Sequence, residues 1–286
     1  MQLHFTKVLY DTSDSWVILS DIEQSIKSKI EAIGTPLKKW DIQINYGIKT
    51  GYNDAFIITT EKRNEILAHC LDDAERERTA ELIRPILRGR DIKRYSYDWA
   101  GLWLINTHNG VKGRLSPIDI NDYPSVKQYL DLHWEKIKKR EDKGITPYNL
   151  RNCAYMDDFN KPKIVWIELS DEAKFTICEE LIPLNTVFFI TGEKLYNILG
   201  MLNAKITKWY FTHCLGTTSG VGTNRWLKYT IEQLPLIYNM DEQFESIVKS
   251  ILSKPTIDLE KKIDKILYQA YNLSNEEIDF IESFTQ

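Results

Sequence analysis

No two cysteines of this 286-residue chain stand at metal- or redox-motif spacing; Cys70, Cys153, Cys178 and Cys214 are scattered singly. That excludes a disulfide framework and a Cys-pair zinc site, and it fits a reducing cytoplasm. The first residues, MQLHFTKVLYDTSDSW, lack the basic start and apolar run of a secretory signal. No apolar segment approaches the ~20 residues that span a bilayer, so no membrane partner is expected. Positive charge is not in excess either: 37 Lys and Arg face 41 Asp and Glu, for a formal charge of −4. Any contact with a polyanion must therefore come from one local face. Catalytic motifs are also missing. Gly216-Thr217-Thr218-Ser219-Gly220-Val221-Gly222 looks like a phosphate-cradling loop, but it lacks the Lys-Ser/Thr of a P-loop and follows a helix instead of a strand. No serine sits in a nucleophile elbow.

What is present is a core. With 43% apolar residues the chain can fill one large domain or two small ones. Residues 3–10 read as a strand, and Ile22, Ile26, Ile30 and Ile33 give residues 20–33 the period of an amphipathic helix stopped by Gly34 and Pro36. Trp40, Ile42, Ile44 and Tyr46 alternate with polar residues, and with residues 55–59 they predict a hairpin whose tip carries Lys49 and Asn53. Residues 61–82 read as one helix, ended by Pro85. A short strand follows at 102–105, then a helix from Pro124 to the cations Lys138, Lys139 and Arg140, which suit its C-terminal dipole. His133 on its apolar face reads as a packed histidine. Three runs rich in Ile, Val, Phe and Trp (163–169, 174–178, 186–191) predict strands. The C-terminal part is helical, and Ser274 with Glu277 forms a capping box for the last helix. The expected class is α+β: a mixed or antiparallel sheet region over residues 37–237, an N-terminal connector with a helix over 1–36, and a C-terminal helical segment over 238–286.

Two stretches are locally basic. Residues 194–231 contain Lys194, Lys205, Lys208, Arg225 and Lys228 but no Asp or Glu, and run from an apolar helix into a loop of Gly, Thr and Ser. Residues 87–95 hold Arg88, Arg90, Lys93 and Arg94, and guanidinium forks suit phosphate. Asp158 with Glu172-Ala173-Lys174 imitates, at loose spacing, the Asp…Glu-x-Lys pattern of metal-dependent nucleases. The acidic C-terminal helices would repel phosphates and are expected to pack on protein.

The ordered succession GIKTGYNDAFII (47–58), LIRPILRGRDIKRY (82–95), WLI (103–105), YPSVKQYL (123–130), KKREDKG (138–144), PYNLRNCAYMDDFNKPKIVW (147–166), LGMLNAKITKWYF (199–211), EQLPL (232–236) and the closing KKIDKILYQAYNLSNEEIDFIESF resembles the TaqI-like C-terminal specificity domain. That resemblance implies the target-recognition part of N6-adenine DNA methyltransferases, including fused type II restriction-modification enzymes and phage-defence methylases. It further implies double-stranded DNA and a methyltransferase catalytic domain, in cis or in trans, as partners. Arg88, Arg90, Lys205, Lys208, Arg225 and Lys228 then become candidates to position phosphates, and Lys49 and Arg151 further candidate DNA contacts. Asn53, Tyr148, Thr217, Thr218, Ser219 and Asn224 become candidates to read base edges. Two other classes stay open: a nuclease using Asp158, Glu172 and Lys174, and a non-catalytic interaction scaffold.

The resemblance has a gap. Family members carry an S-adenosylmethionine loop and an Asn/Asp-Pro-Pro-Tyr/Phe motif, whereas this chain has no adjacent prolines and no Phe-x-Gly-x-Gly. Methyl transfer and its cofactor are thus expected to belong to a catalytic domain that this sequence does not contain. Calorimetric titration of the chain with S-adenosylmethionine should accordingly give no heat of binding; micromolar binding would reveal a cofactor site.

Overall fold

The computed structural model describes residues 19–215 and 224–284. The strand expected over residues 3–10 lies outside them. The two main sheets are built from β1 (Ile42–Tyr46), β2 (Ile57–Thr59), β3 (Ile83–Leu87), β4 (Leu102–Ile105), β5 (Lys163–Ile167), β6 (Thr176–Cys178), β7 (Ile182–Pro183) and β8 (Val187–Gly192). The main helices are α1 (Asp21–Ile33), α2 (Thr60–Ala68), α3 (Asp73–Leu82), α4 (Pro124–Asp131), α5 (Leu195–Asn203), α6 (Lys205–Tyr210), α7 (Glu242–Ser253), α8 (Ile257–Ala270) and α9 (Asn275–Phe284). The protein is therefore α+β, with helices towards both ends of the chain. Among the described residues no helix is long and apolar enough to cross a membrane.

The central sheet runs β1-β8-β5-β6 and is antiparallel throughout. Both of its faces are buried, because side chains alternate along each strand between two cores. Ile44, Ile164, Trp166 and Ile190 point into one core with α1 and the C-terminal helices, which contribute Ile26, Ile30, Phe244, Val248, Leu267 and Ile281. Val165, Cys178, Val187 and Phe189 point into the other, shared with the second sheet. That sheet runs β7-β3-β4-β2, with β7 parallel to β3 and the other pairs antiparallel. Burial on both faces is why β5 and β8 read as unbroken apolar runs and not as alternating ones.

The strands expected at 102–105, 163–169, 174–178 and 186–191 all form, at 102–105, 163–167, 176–178 and 187–192. So does the capping box: the Glu277 amide donates to Ser274 Oγ at 3.3 Å, and the Ser274 amide to Glu277 Oε2 at 2.7 Å. The hairpin does not. β1 pairs with β8 and β2 with β4, in different sheets, and residues 47–56 cross between them with Ile48, Ala55 and Phe56 buried. The 61–82 helix is two helices, because Asp72 caps a new one by accepting the Glu75 amide at 2.7 Å. The helix expected after Pro124 likewise stops at Asp131, and Trp134–Ile137 forms a separate turn. His133 packs edge-on against Tyr52 and Tyr129.

Ile164 and Phe189 lie on opposite faces of the central sheet, so Ile164→Ala and Phe189→Ala test whether the two cores melt together. Each should lose about 2–5 kcal/mol in urea unfolding and keep one cooperative transition. Two separated transitions would show that the cores are independent.

Candidate nucleic-acid interface

Strand register decides which candidates meet. Tyr46 lies opposite Phe188 and Val187 opposite Ile167, so the exits of β1 and β5 and the entry to β8 share one end of the central sheet. From β1 the chain leads directly to Lys49 and Asn53. Gly89 sits so tightly against this end that a Cβ there would lie 2.8 Å from Ile167 Cδ1 and 3.2 Å from Thr186 Oγ1, which seats the Arg88–Arg90 turn beside it. Beyond β5, residues 168–170 are clasped by residues 224–226: the Trp226 amide donates to Glu168 O at 2.8 Å and Trp226 Nε1 to Ser170 O at 2.9 Å. Asn224 and Arg225 thereby arrive at the same end, and Lys228 lies along the outer edge of β1.

Almost every cation here is held by an acid or a carbonyl. Arg88 makes two 2.7 Å bonds to Asp91, which raises its pKa further. Arg225 Nη2 lies 2.5 Å from Glu168 Oε1. Lys228 Nζ donates to Ile44 O at 2.8 Å, on the free edge of β1, with Glu232 at 3.6 Å. Lys49 Nζ and Arg151 Nη1 reach Asp142 at 2.8 and 3.1 Å, and their hydrogen bonds and charge hold its carboxyl below the usual range. Tyr148 donates to Asp131 Oδ1 at 2.5 Å and packs on Trp134. Asn53 Oδ1 accepts from Thr50 Oγ1 at 2.6 Å, leaving its amide group at the exposed surface. Asn224 is nearly buried, and its carbonyl accepts the Ser170 amide. Arg90 is exposed and has no ion-pair partner among the described residues.

One organising residue was misread from the sequence. Arg140, assigned to a helix dipole, is 6% exposed and donates to the carbonyls of Thr50, Asp142, Pro147 and Asn149. Burial lowers its pKa to about 10, and its guanidinium ties the 47–54 crossing to the 142–151 loop. Carbonyl partners leave no sequence signature. Two more cations went unnoticed, on the neighbouring 106–118 loop: Lys112 is exposed, and Arg114 pairs with Asp157 at 2.8 Å. Gly-rich loop composition with two nearby cations was the available signal. Asn109 joins this loop to the others, accepting the Ile145 amide at 2.7 Å and donating to Asn152.

Lys205 and Lys208 stand apart, in the helical layer. Lys205 Nζ pairs with Glu282 on α9, and its amide donates to Asp264 Oδ1 of α8 at 2.9 Å. Lys208 is half-buried. Thr217, Thr218 and Ser219 lie outside the described residues. Asp158 is engaged by Asn45 at 3.1 Å and Lys161 at 2.8 Å, while Glu172 pairs with its neighbour Lys174 at 3.4 Å. Among the described residues no group of three or more His, Cys, Asp or Glu is arranged to hold a metal.

The chain belongs to the TaqI-like C-terminal specificity domain family, whose model matches residues 84–236, just over half of its length. It is 22% identical over 284 residues to the type II methyltransferase M.BstVI of Geobacillus stearothermophilus, covering 94% of this chain and 46% of that protein. Its fold is similar to that of the type IIL restriction-modification enzyme MmeI, solved in complex with DNA (TM-score 0.58, 16% identity, 87% of this chain and 36% of that one). It is also similar to the type IIG restriction endonuclease BpuSI (TM-score 0.58, 13% identity, 92% and 32%). The chain spans less than half the length of each of these relatives.

The Lys205 environment generates a pH dependence. Burial raises the Asp264 carboxyl to about 6, against the favourable Lys205 amide, Arg94 and Lys205 charges and with Glu282 adding to the rise. Because the folded pKa lies above the unfolded value, this group's stabilisation is fully present below about pH 4 and is lost as pH rises through about 6. Wild type should therefore gain stability relative to Asp264→Asn as pH falls from about 7 to 4.5. Thermal melts with parallel pH profiles for the two proteins would contradict it.

Proposed function

We propose that this chain is the double-stranded DNA recognition module of an adenine-N6 methyltransferase or restriction-modification enzyme, itself without catalytic activity. The observation that carries the proposal is the meeting of the 47–49, 88–90 and 224–226 segments at one end of a sheet buried on both faces, with the 140–151 loop tied to the 47–54 crossing by Arg140 and the 106–118 loop tied to it in turn by Asn109. Family membership supports the reading, as does the similarity to an enzyme solved with DNA. Methylation of an adenine within duplex DNA requires the base to leave the stack, and a specificity module holds the duplex in register while a catalytic domain accepts the base. In this module the cations fix register on the phosphates, and the uncharged loop side chains supply the donors and acceptors that distinguish bases. The methyl donor and the catalytic domain belong to the partner half, joined in cis or acting in trans.

The rigid end suits this work. Loops alone lose conformational entropy on ordering against DNA, whereas loops pinned by Arg140 and Asn109 are already ordered. A scaffold of this kind therefore spends little binding energy on folding its own contact surface.

Selection of a random duplex pool by the chain at low salt should enrich one short motif. Lys112→Ala should then weaken all duplexes alike, about 3- to 10-fold near 0.1 M salt, and flatten the salt dependence by about one unit while leaving the motif unchanged. Absence of salt-dependent duplex binding would sink the reading.

A further inference from the structure

Lys49 and Arg151 come from different loops, yet both end on one carboxylate, each on its own oxygen of Asp142. The two cations are the more exposed partners, with 44% and 40% of their side-chain surface open against 25% for Asp142. The acid sits behind them on a fixed backbone. Arg140 donates to its main-chain carbonyl at 2.8 Å, and Gly51 packs so closely that a Cβ there would lie 2.9 Å from Asp142 Cβ. Gly51 has φ +71°, so this close approach also suits the only residue that adopts that backbone readily. Hydrogen bonds and charge from both cations keep the Asp142 carboxyl ionised at neutral pH.

Such an arrangement does not serve affinity for a polyanion. Two cations on one acid offer the field of a single net charge, and each must exchange Asp142 for a phosphate before it contributes to binding. Exposed ion pairs are weak, so the exchange is feasible, but it removes most of the gain. The sequence-independent part of DNA binding comes almost wholly from such phosphate contacts, and suppressing it leaves base contacts to decide where the protein stays.

We infer that Asp142 is a charge mask: it holds Lys49 and Arg151 in place and offsets their charge, lowering affinity for duplexes of any sequence and so sharpening selectivity. This inference rests on the DNA-binding reading above. It assigns Asp142 a positioning and specificity role, with no contact to DNA of its own. A carboxylate that served only to brace the loops would have the opposite signature, since its loss would disorder the cations and weaken binding.

The test is fluorescence anisotropy with a short duplex of random sequence, over about 50–200 mM NaCl. Asp142→Asn keeps the side-chain shape and the carbonyl that Arg140 holds; Asp142→Ser removes the charge with a smaller side chain. Either neutral variant should bind about 3- to 10-fold tighter than wild type near 0.1 M salt, with a salt slope steeper by about one unit. Adding Lys49→Met to Asp142→Asn should return affinity towards wild type, which identifies the released lysine as the source. A folded neutral variant, checked by its thermal melt, that binds equally or more weakly overturns the mask while leaving the DNA reading intact. Failure of wild type and variants alike to bind at low salt overturns both.

Discussion

Burial of the central sheet on both faces is the constraint from which the rest of the structure follows. A strand with one wet face can slip by two residues and keep its pattern, but a strand packed on both faces has no such freedom. Ile164 and Trp166 fit beneath α1 and the C-terminal helices, and Val165 and Phe189 fit against the second sheet, so register is specified from two sides. That fixed register aligns the exits of β1 and β5 with the entry to β8. Segments separated by more than a hundred residues are thereby delivered to one place. The precision of the loop end is a consequence of the core and not of the loops.

Electrostatics then divides the molecule in two. In the helical layer, bases meet acids from distant parts of the chain: Arg94 with Glu260 at 2.5 Å, Lys29 with Glu277 at 2.6 Å, and Lys205 with Glu282. These pairs join elements that lie far apart in the sequence. At the loop end, Lys49 with Asp142 and Arg225 with Glu168 leave their cations 44% exposed, where an ion pair contributes little to stability and is readily exchanged, while Arg88 with Asp91 is more enclosed. The same residue types join distant elements on one side and hold loop cations in place on the other.

The α+β class, the apolar strands and the last capping box were legible because each rests on local composition or local hydrogen bonding. Ser274 and Glu277 need only each other. The supposed hairpin failed because strand pairing is not local: Ile44 and Ile58 are close in sequence, yet their partners Ile190 and Trp103 belong to different sheets. Of the site, clusters of cations could be recognised from the sequence, but not the acids that hold them, since Asp142 looks like any other charge in KKREDKG. Arg140 was the least legible of all. Four of its acceptors are main-chain carbonyls, and every residue has one.

The acid-free stretch over residues 194–231 shows how one sequence feature can have two causes. Its first half, α5, is buried on nearly every side, with Ile198, Leu199 and Leu202 fully enclosed and Gly200 packed against Phe244 and Val248. Acids are absent there because a buried carboxylate without a partner is heavily penalised. Lys205, at the start of α6, is tolerated because α8 and α9 bring Asp264 and Glu282 to it. The second half reaches the sheet end, where Arg225 and Lys228 find acids only from outside the stretch or at its border, at Glu168 and Glu232. The acidic C-terminal helices that looked inimical to DNA are thus the counter-charge of the basic helical layer.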